Sequence, residues 1–466
     1  MNEFFTLMKP ELLIMAILFL LLFIKISKGL ANDKLLQFIQ VLLLVNFVAG
    51  FFLNAEGKLF DSMYQTNAMI ILQKNILNLG MFFISLLFTD WFRKCEHLSE
   101  FFMLMLSALL GMFYMMSSGN LLMFYLSLEL ATIPVAAMSN FNLDKKVSSE
   151  AAIKMILSSA FSSGILLFGI SLLYGATGTL SFAEMPALLT SSPLQILAFV
   201  CLFTAFAFKM SVVPFHFWTA DVYEGSPVVV TSFLSVISKG AIAFVFVSTL
   251  FKVFQPLHDI WYNMIMVLSV MTMLIGNLFA LRQQNIKRFL AFSSIAQVGF
   301  ILVGMSSNST QGTASIIYFI CIYIFSNLAA FGVADLISFF TGKENIDDYK
   351  GLYQTNPLLS WVLALSLFSL AGIPPTAGFF GKLFLLSAGA TTGNYIFIGI
   401  AAVNMIISLY YYLRIIRAVF MDKNETPVEK ISINPYTKIG LYICSAGIVL
   451  IGLLSWVYDY IEGVVN

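Results

Sequence analysis

Long apolar runs separated by short polar stretches fill the chain from about residue 10 to residue 458. A helix that crosses a bilayer takes roughly 20 apolar residues at 1.5 Å each. The pattern predicts fourteen such helices, near 10–27, 35–54, 70–92, 99–118, 120–141, 150–175, 193–213, 227–254, 261–281, 287–306, 311–340, 358–386, 395–418 and 436–458. The span near 311–340 is long enough to tilt or to end in an interfacial stretch. The expected fold is therefore an all-α polytopic membrane protein in a single integral membrane domain, 1–466.

Composition agrees with the pattern. Hydrophobic residues make up 59% and charged residues 11% of the 466, with a mean hydropathy of +0.91, which excludes an ordinary soluble fold. Lys and Arg number 25 against 24 Asp and Glu, so no basic face for nucleic acid is expected. Cys95, Cys201, Cys321 and Cys444 are scattered singly, without metal-ligand spacing, and read as small apolar fillers. The first run lacks a small-residue cleavage pattern and reads as a retained helix. Polar stretches near Gly342 to Asn356 and Asp422 to Tyr436 are too short for an extramembrane domain.

Charge matters by position. Odd-numbered connections hold Lys25, Lys28, Lys34, Arg93, Lys94, Lys145, Lys146, Arg282, Lys287, Arg288, Lys343, Lys350, Arg414, Arg417, Lys423, Lys430 and Lys438; even-numbered ones hold only Lys58 and Lys252. Seventeen against two places the odd connections inside and both termini outside. With Lys9 in the N-terminal arm, five lysines remain in or at the edges of spans: Lys74, Lys154, Lys209, Lys239 and Lys382. A charge at the bilayer centre costs roughly 3 kcal/mol even on the lenient insertion scale, so such lysines face one another, water or a substrate.

Two spans carry breakers in their middles. The seventh runs through Phe208-Lys209 to Pro214-Phe215-His216-Phe217-Trp218 and on to Pro227, and the twelfth through Gly372-Ile373-Pro374-Pro375 to Gly381-Lys382. Proline removes an amide donor and clashes one turn back, so each segment is expected to split into two half-helices. Such a link persists at membrane depth only beside protein or a wet cavity. Breaks five spans apart match two inverted repeats, 99–254 and 261–418, flanked by N-terminal helices in 1–98 and a C-terminal helix in 436–466.

Glu129 lies nine residues into its span, about 14 Å deep at helical rise. A lone carboxyl at that depth takes up a proton, whereas a neighbouring ammonium keeps it ionised; a pair that changes partner is a proton relay. Lys239 is similarly deep, with Ser235 and Ser238 beside it. Lys154, one turn after Glu150, and Lys74, near the outer edge, carry weaker signals, and a structural ion pair or snorkelling competes with a functional reading at each lysine. His216 and His258 sit where protons enter or leave, although a single boundary histidine also serves as an interfacial side chain. Trp218, Trp261 and Trp361 fit an aromatic belt. No dinucleotide fingerprint, zinc-protease motif or nucleophile elbow is present, and no redox chemistry is expected in this chain.

Several segments in order carry a resemblance: Leu128-Glu129-Leu130, Ser149 to Lys154, Tyr174 to Gly178, Phe208 to Pro227, Ser238-Lys239-Gly240-Ala241, Asn285 to Ala291, Asp348 to Leu352 and Gly372 to Lys382. In these the chain resembles the antiporter-like subunits of proton-pumping NADH-quinone oxidoreductase, respiratory complex I, and among them subunit N, the counterpart of mitochondrial subunit 2. Subunit M carries a glutamate where Lys382 stands, and subunit L a long additional C-terminal helix. The N-terminal hundred residues add little to the match.

The resemblance implies fourteen helices with two inverted five-helix repeats and discontinuous helices 7 and 12. It implies Glu129 and Lys209 as the switching pair, Lys239 as the central relay, Lys382 on the exit side, Lys154 as an accessory and His216 in the relay. It also implies a bacterial cell (inner) membrane location with termini on the periplasmic side, and partners among the other membrane-arm subunits, including the other antiporter-like ones, and lipid. NADH, flavin, iron-sulfur clusters and quinone belong in other subunits, with no cofactor or metal in this chain. A subunit of a multi-chain Mrp-type sodium-proton antiporter and a non-conducting structural subunit are the competing readings.

Overall fold

The computed structural model describes residues 2–27, 30–53, 55–142, 145–424 and 427–466; Lys28 of the basic connections lies outside them. Every one of the fourteen apolar runs is helical. Among the described residues twelve helices are long and apolar enough to cross a membrane. The two remaining runs differ for visible reasons. Lys9–Ile26 carries Lys9, Glu11 and Lys25, and the twelfth run splits into Pro357–Ala371 and Ala377–Ala390, each short by itself.

Polar side chains at the boundaries start the helices. Asn67, Asn120, Ser192, Asn285, Ser309 and Asn394 each accept a backbone N–H of the first turn, satisfying donors that the helix itself leaves free. Glycines with positive φ end the two 32-residue helices: Gly178 after Lys146–Thr177 and Gly342 after Thr310–Thr341.

The second of these is the axis of the fold, buried from Gly312 to Ile337. Val228–Lys252 and Ile286–Met305 pack beside it and are also almost wholly buried. The peripheral helices turn Phe23, Val41, Ile133, Phe161, Phe168, Val403 and Ile406 outward, the belt that lipid tails solvate. Trp361 joins this exposed belt at 58%. Trp218 and Trp261 do not: both are buried, and their indole N–H groups donate to the carbonyls of Phe208 and Phe254 at 3.0 Å, which also accept from the backbone of Ser211 and Leu257. Hydropathy could not separate these two uses of tryptophan.

Three local features depart from uniform helices. A two-stranded antiparallel ribbon, Gly57–Leu59 against Tyr64–Thr66, closes the connection between the second and third runs. Its turn holds Phe60, Asp61 and Ser62 at positive φ, without the usual Gly or Asn signal. A π-helical turn, Leu234–Ser238, interrupts the eighth run immediately before Lys239. The last run bends after Leu453 and continues as Trp456–Val465, whose Tyr458 packs on Phe384.

Lys74 is not at a wetted edge. It is 1% exposed, its Nζ 2.5 Å from the fully buried Glu11 carboxylate and 2.6 Å from Ser117 Oγ, while the Tyr64 hydroxyl donates to Glu11 at 3.0 Å. The pair pins Lys9–Ile26 to Ala68–Leu87. A buried ion pair gains little over an apolar pair but is costly to break singly. Lys74→Met is therefore expected to destabilise the fold by about 3–5 kcal/mol, while Glu11→Leu with Lys74→Met recovers most of the loss, read from thermal denaturation in detergent.

Candidate functional site

Both predicted breaks exist, and each leaves a lysine at the bend. Pro193–Met210 ends at Ser211 with φ 66°, and the chain resumes as Phe217–Gly225 after a cis Val213–Pro214 bond. Pro357–Ala371 ends at Gly372 with φ 86°, and Ala377–Ala390 follows after a cis Pro374–Pro375 bond. The two 32-residue helices begin at 146 and 310, and the broken ones at 193 and 357, the same 164-residue interval. A Cβ on Gly372 would meet the Lys382 side chain at 3.1 Å, so glycine there serves both the left-handed turn and the lysine's passage.

Lys209 occupies the last turn before the first break. Its Nζ donates to Thr132 Oγ1 at 2.7 Å and Ser159 Oγ at 2.6 Å. Thr132 is one turn beyond Glu129 on Leu121–Ser139. The expected acid–lysine pair is thus in electrostatic range but not in contact: among the described residues no hydrogen bond or ion pair joins Glu129 to Lys209, and Glu129 Oε1 is shielded with no partner. Hydroxyls, not the carboxylate, take the ammonium. A cavity lined by Thr132, Ser159, Lys209, Trp218 and Ser238 runs from this lysine to the π-helical turn.

Lys239 follows that turn directly, 4% exposed. Its Nζ donates to Ser294 Oγ at 2.8 Å and lies 5.4 Å from the centre of the Tyr223 ring. Within the turn, Ser235 Oγ accepts from Asn327 Nδ2. A widened turn frees backbone spacing and re-aims side chains, a frequent device at functional positions.

Lys382 lies on the far side of the second break, 1% exposed, donating to the carbonyls of Leu370 at 2.7 Å and Ala371 at 3.2 Å. These carbonyls are free because the helix stops at Gly372. Leu370 O also accepts from Gln297 Nε2 at 2.9 Å, and Gln297 is three residues after Ser294 on Ile286–Met305. Lys239, Ser294, Gln297, Leu370 O and Lys382 therefore form one row, hydrogen-bonded at each step except from Ser294 to Gln297, which lie one turn apart on the same helix. Tyr412 flanks this row, 3.1 Å from Gln297 Nε2 and 2.5 Å from Ser293 Oγ.

Lys154 stands apart. It is an exposed lysine with Glu150 at 2.8 Å and Asp221 at 2.6 Å, and Arg288 joins Asp221 and Glu224 to the same surface network. Ion pairs with this much solvent contribute little individually. His216 immediately precedes Phe217–Gly225 without a side-chain bond to its first turn; it is 6% exposed and its Nδ1 has no partner. The remaining expected lysine, Lys74, belongs to the separate pair with Glu11.

The family described as NADH:quinone oxidoreductase/Mrp antiporter, TM, matches residues 118–408, which include both breaks and Glu129, Lys209, Lys239 and Lys382. The chain is 48% identical over 411 residues to NADH-quinone oxidoreductase subunit N of Phocaeicola vulgatus, covering 87% of each, and 46% identical to subunit N of Azobacteroides pseudotrichonymphae genomovar. CFP2, covering 87% of this chain and 86% of that one. The chain belongs to the NADH-quinone oxidoreductase subunit N family. A chain of respiratory complex I from Thermus thermophilus with bound aureothin superposes with a TM-score of 0.82 at 26% identity, over 96% of this chain and 97% of that one. A chain of the Mrp complex from Dietzia sp. DQ12-45-1b reaches 0.86 at 20% identity over 98% and 96%, a likeness of fold.

Within this family fold, the side chains that hold or flank the lysines, namely Ser294, Gln297, Thr132 and Ser159, are ones that sequence reasoning passed over. Serine, threonine and glutamine inside apolar helices leave no charge signal. Their spacing on facing helices was the available cue, and it becomes legible only when the helices are paired. Thr132→Val and Ser159→Ala are each expected to cost about 1.5–3 kcal/mol, the value of a hydrogen bond to a charged group. Adding Lys209→Met to the double variant removes the charge needing those acceptors, and the melting temperature of the purified complex is expected to recover.

Proposed function

We propose that this protein is a proton-translocating membrane-arm subunit of NADH-quinone oxidoreductase, respiratory complex I. NADH oxidation and quinone reduction occur in other subunits, which hold the flavin, iron-sulfur clusters and quinone. The row Lys209, cavity, Lys239, Ser294, Gln297, Leu370 O, Lys382 is the single observation that carries this reading. An ammonium held by hydroxyls and carbonyls loses its proton without stranding a buried counter-ion, so each lysine suits repeated loading and release. In this reading Glu129 biases Lys209 through space, Lys239 relays between the halves, Lys382 serves the exit side, His216 lies on the relay, and Lys154 is an accessory anchored in the surface network.

Residues 99–254 and 261–418 act as inverted repeats, supported by the matching breaks and the 164-residue interval. The basic connections face the cytoplasm and both termini the periplasm of a bacterial inner membrane. Partners are the neighbouring membrane-arm subunits, the other antiporter-like ones included, and lipid. The Mrp-type reading has a common fold behind it, whereas the relatives at 48% and 46% identity are named subunit N.

Moving one charge against 100 mV requires about 2.3 kcal/mol, which a change of buried charge partner supplies. Lys209→Ala or Lys239→Met in the otherwise intact complex is expected to reduce quinone-coupled proton pumping by roughly tenfold or more, measured as acidification by inverted membrane vesicles. Normal proton-to-electron stoichiometry in both variants defeats the assignment.

A further inference from the structure

The relay reading leaves its supply from the basic-connection face unassigned, and the inference here rests on that reading. The central helix Thr310–Thr341 carries one acid, Asp335, 4% exposed. It lies six residues before the helix end, about 9 Å from that face at helical rise. Among the described residues no hydrogen bond or ion pair holds its carboxylate. An unpartnered carboxyl at such burial is costly and functional by default.

The groups around it do not neutralise it. Asp90 and Lys287 lie within electrostatic range, but Lys287 Nζ is engaged by Glu344 at 2.9 Å and by the Glu224 carbonyl at 2.7 Å. Burial favours the neutral form of Glu344, but the Lys287 ammonium together with donors from Ser338 and Asn285 holds its carboxyl below the usual range. Lys287 thus has a committed counter-ion. Asp90 accepts from Thr437 at 3.4 Å, and Lys94 sits over the Phe339 ring at 4.5 Å. The Tyr349 hydroxyl, also in range of Asp335, is buried with no partner. The Asp335 carboxyl and the Tyr349 hydroxyl are thus two unpartnered buried groups within electrostatic range of each other, the kind of group that buried water satisfies.

One helix face leads from Asp335 toward the central lysine. Asn327, Phe331 and Asp335 recur every four residues, and Ser338 on the next turn donates to Glu344 at 2.8 Å. At the inner end of the stripe Asn327 bonds Ser235, four residues before Lys239. Between them Phe331 packs against Tyr223, the ring that also lies beneath the Lys239 ammonium. The stripe is polar at both ends with one apolar step.

We propose that Asp335 is the proton-accepting group that loads Lys239 from the basic-connection face, with the Phe331–Tyr223 contact as the barrier. A proton from the aqueous side binds the Asp335 carboxylate. When water enters past the two rings, the proton passes to the neutral Lys239 amine and the carboxylate is restored.

The test uses the whole complex in membrane vesicles. Asp335→Asn is expected to lower pumping by roughly tenfold and to make it fall as pH rises on the basic-connection side, where wild type stays flat; Asp335→Glu restores most of the rate and the flat profile. Assembly is scored by the content of complex in the membrane, and Asp335→Ser takes the place of the asparagine variant where that one fails to assemble. Wild-type pumping and pH profile in the non-titratable variant, with Lys239→Met inactive, overturns this inference and leaves the relay reading standing. An assembled Asp335→Glu complex that pumps no better than Asp335→Asn also overturns it. Normal pumping by Lys239→Met removes the relay reading and the inference with it.

Discussion

Inside a lipid bilayer no water is available to solvate a stray charge, so the partner chosen for each buried ammonium decides what that ammonium can do. Lys74, Lys209, Lys239 and Lys382 show how differently such ammonium groups are held. Lys74 is clamped to the Glu11 carboxylate; removing its proton would leave an unpaired buried anion. Lys209, Lys239 and Lys382 are held by hydroxyls and carbonyls, acceptors that carry no charge of their own. The first arrangement fixes a helix, and the others permit a proton to leave and return.

Neutral acceptors at membrane depth have to be manufactured, because an intact helix uses its carbonyls internally. The break at Gly372 does this. Gly372 ends its helix and presents Leu370 and Ala371 carbonyls to Lys382, and the indole of Trp218 takes up the Phe208 carbonyl near the other break. The π-helical turn before Lys239 is a smaller instance of the same device, opening the backbone of an otherwise regular helix where a charge must be aimed. Catalytic potential in this fold follows from where regular structure is interrupted.

The helices and the two proline breaks were legible along the chain because both have strong local causes: sustained apolar runs, and prolines within two of them, joined by Gly372 in the twelfth. Lys209, Lys239 and Lys382 were legible because a lysine amid apolar residues stands out. Glu11 and Asp335 have the same conspicuous chemistry but were passed over. Glu11 lies two residues from Lys9 near a span boundary, where charge is ordinary, and Asp335 lies near the end of a long helix whose last turns read as interfacial. Only the packing of Ala68–Leu87 and the central helix against their neighbours shows both acids to be buried. The expected Glu129–Lys209 contact was legible as a pairing of types, but Thr132 and Ser159 take the ammonium instead.

The amino-acid order by itself determined class, helix positions, break points and the family, since each depends on residues near one another in the chain and on the bilayer's thickness. Which side chains touch was decided by tertiary structure: Ser294 meets Lys239 across 55 positions, Gln297 meets the Leu370 carbonyl across 73, and Lys74 meets Glu11 across 63. Uncharged hydroxyl and amide groups give no hydropathy signal, and their role follows from the rotation and registry of facing helices, which one-dimensional periodicity does not contain.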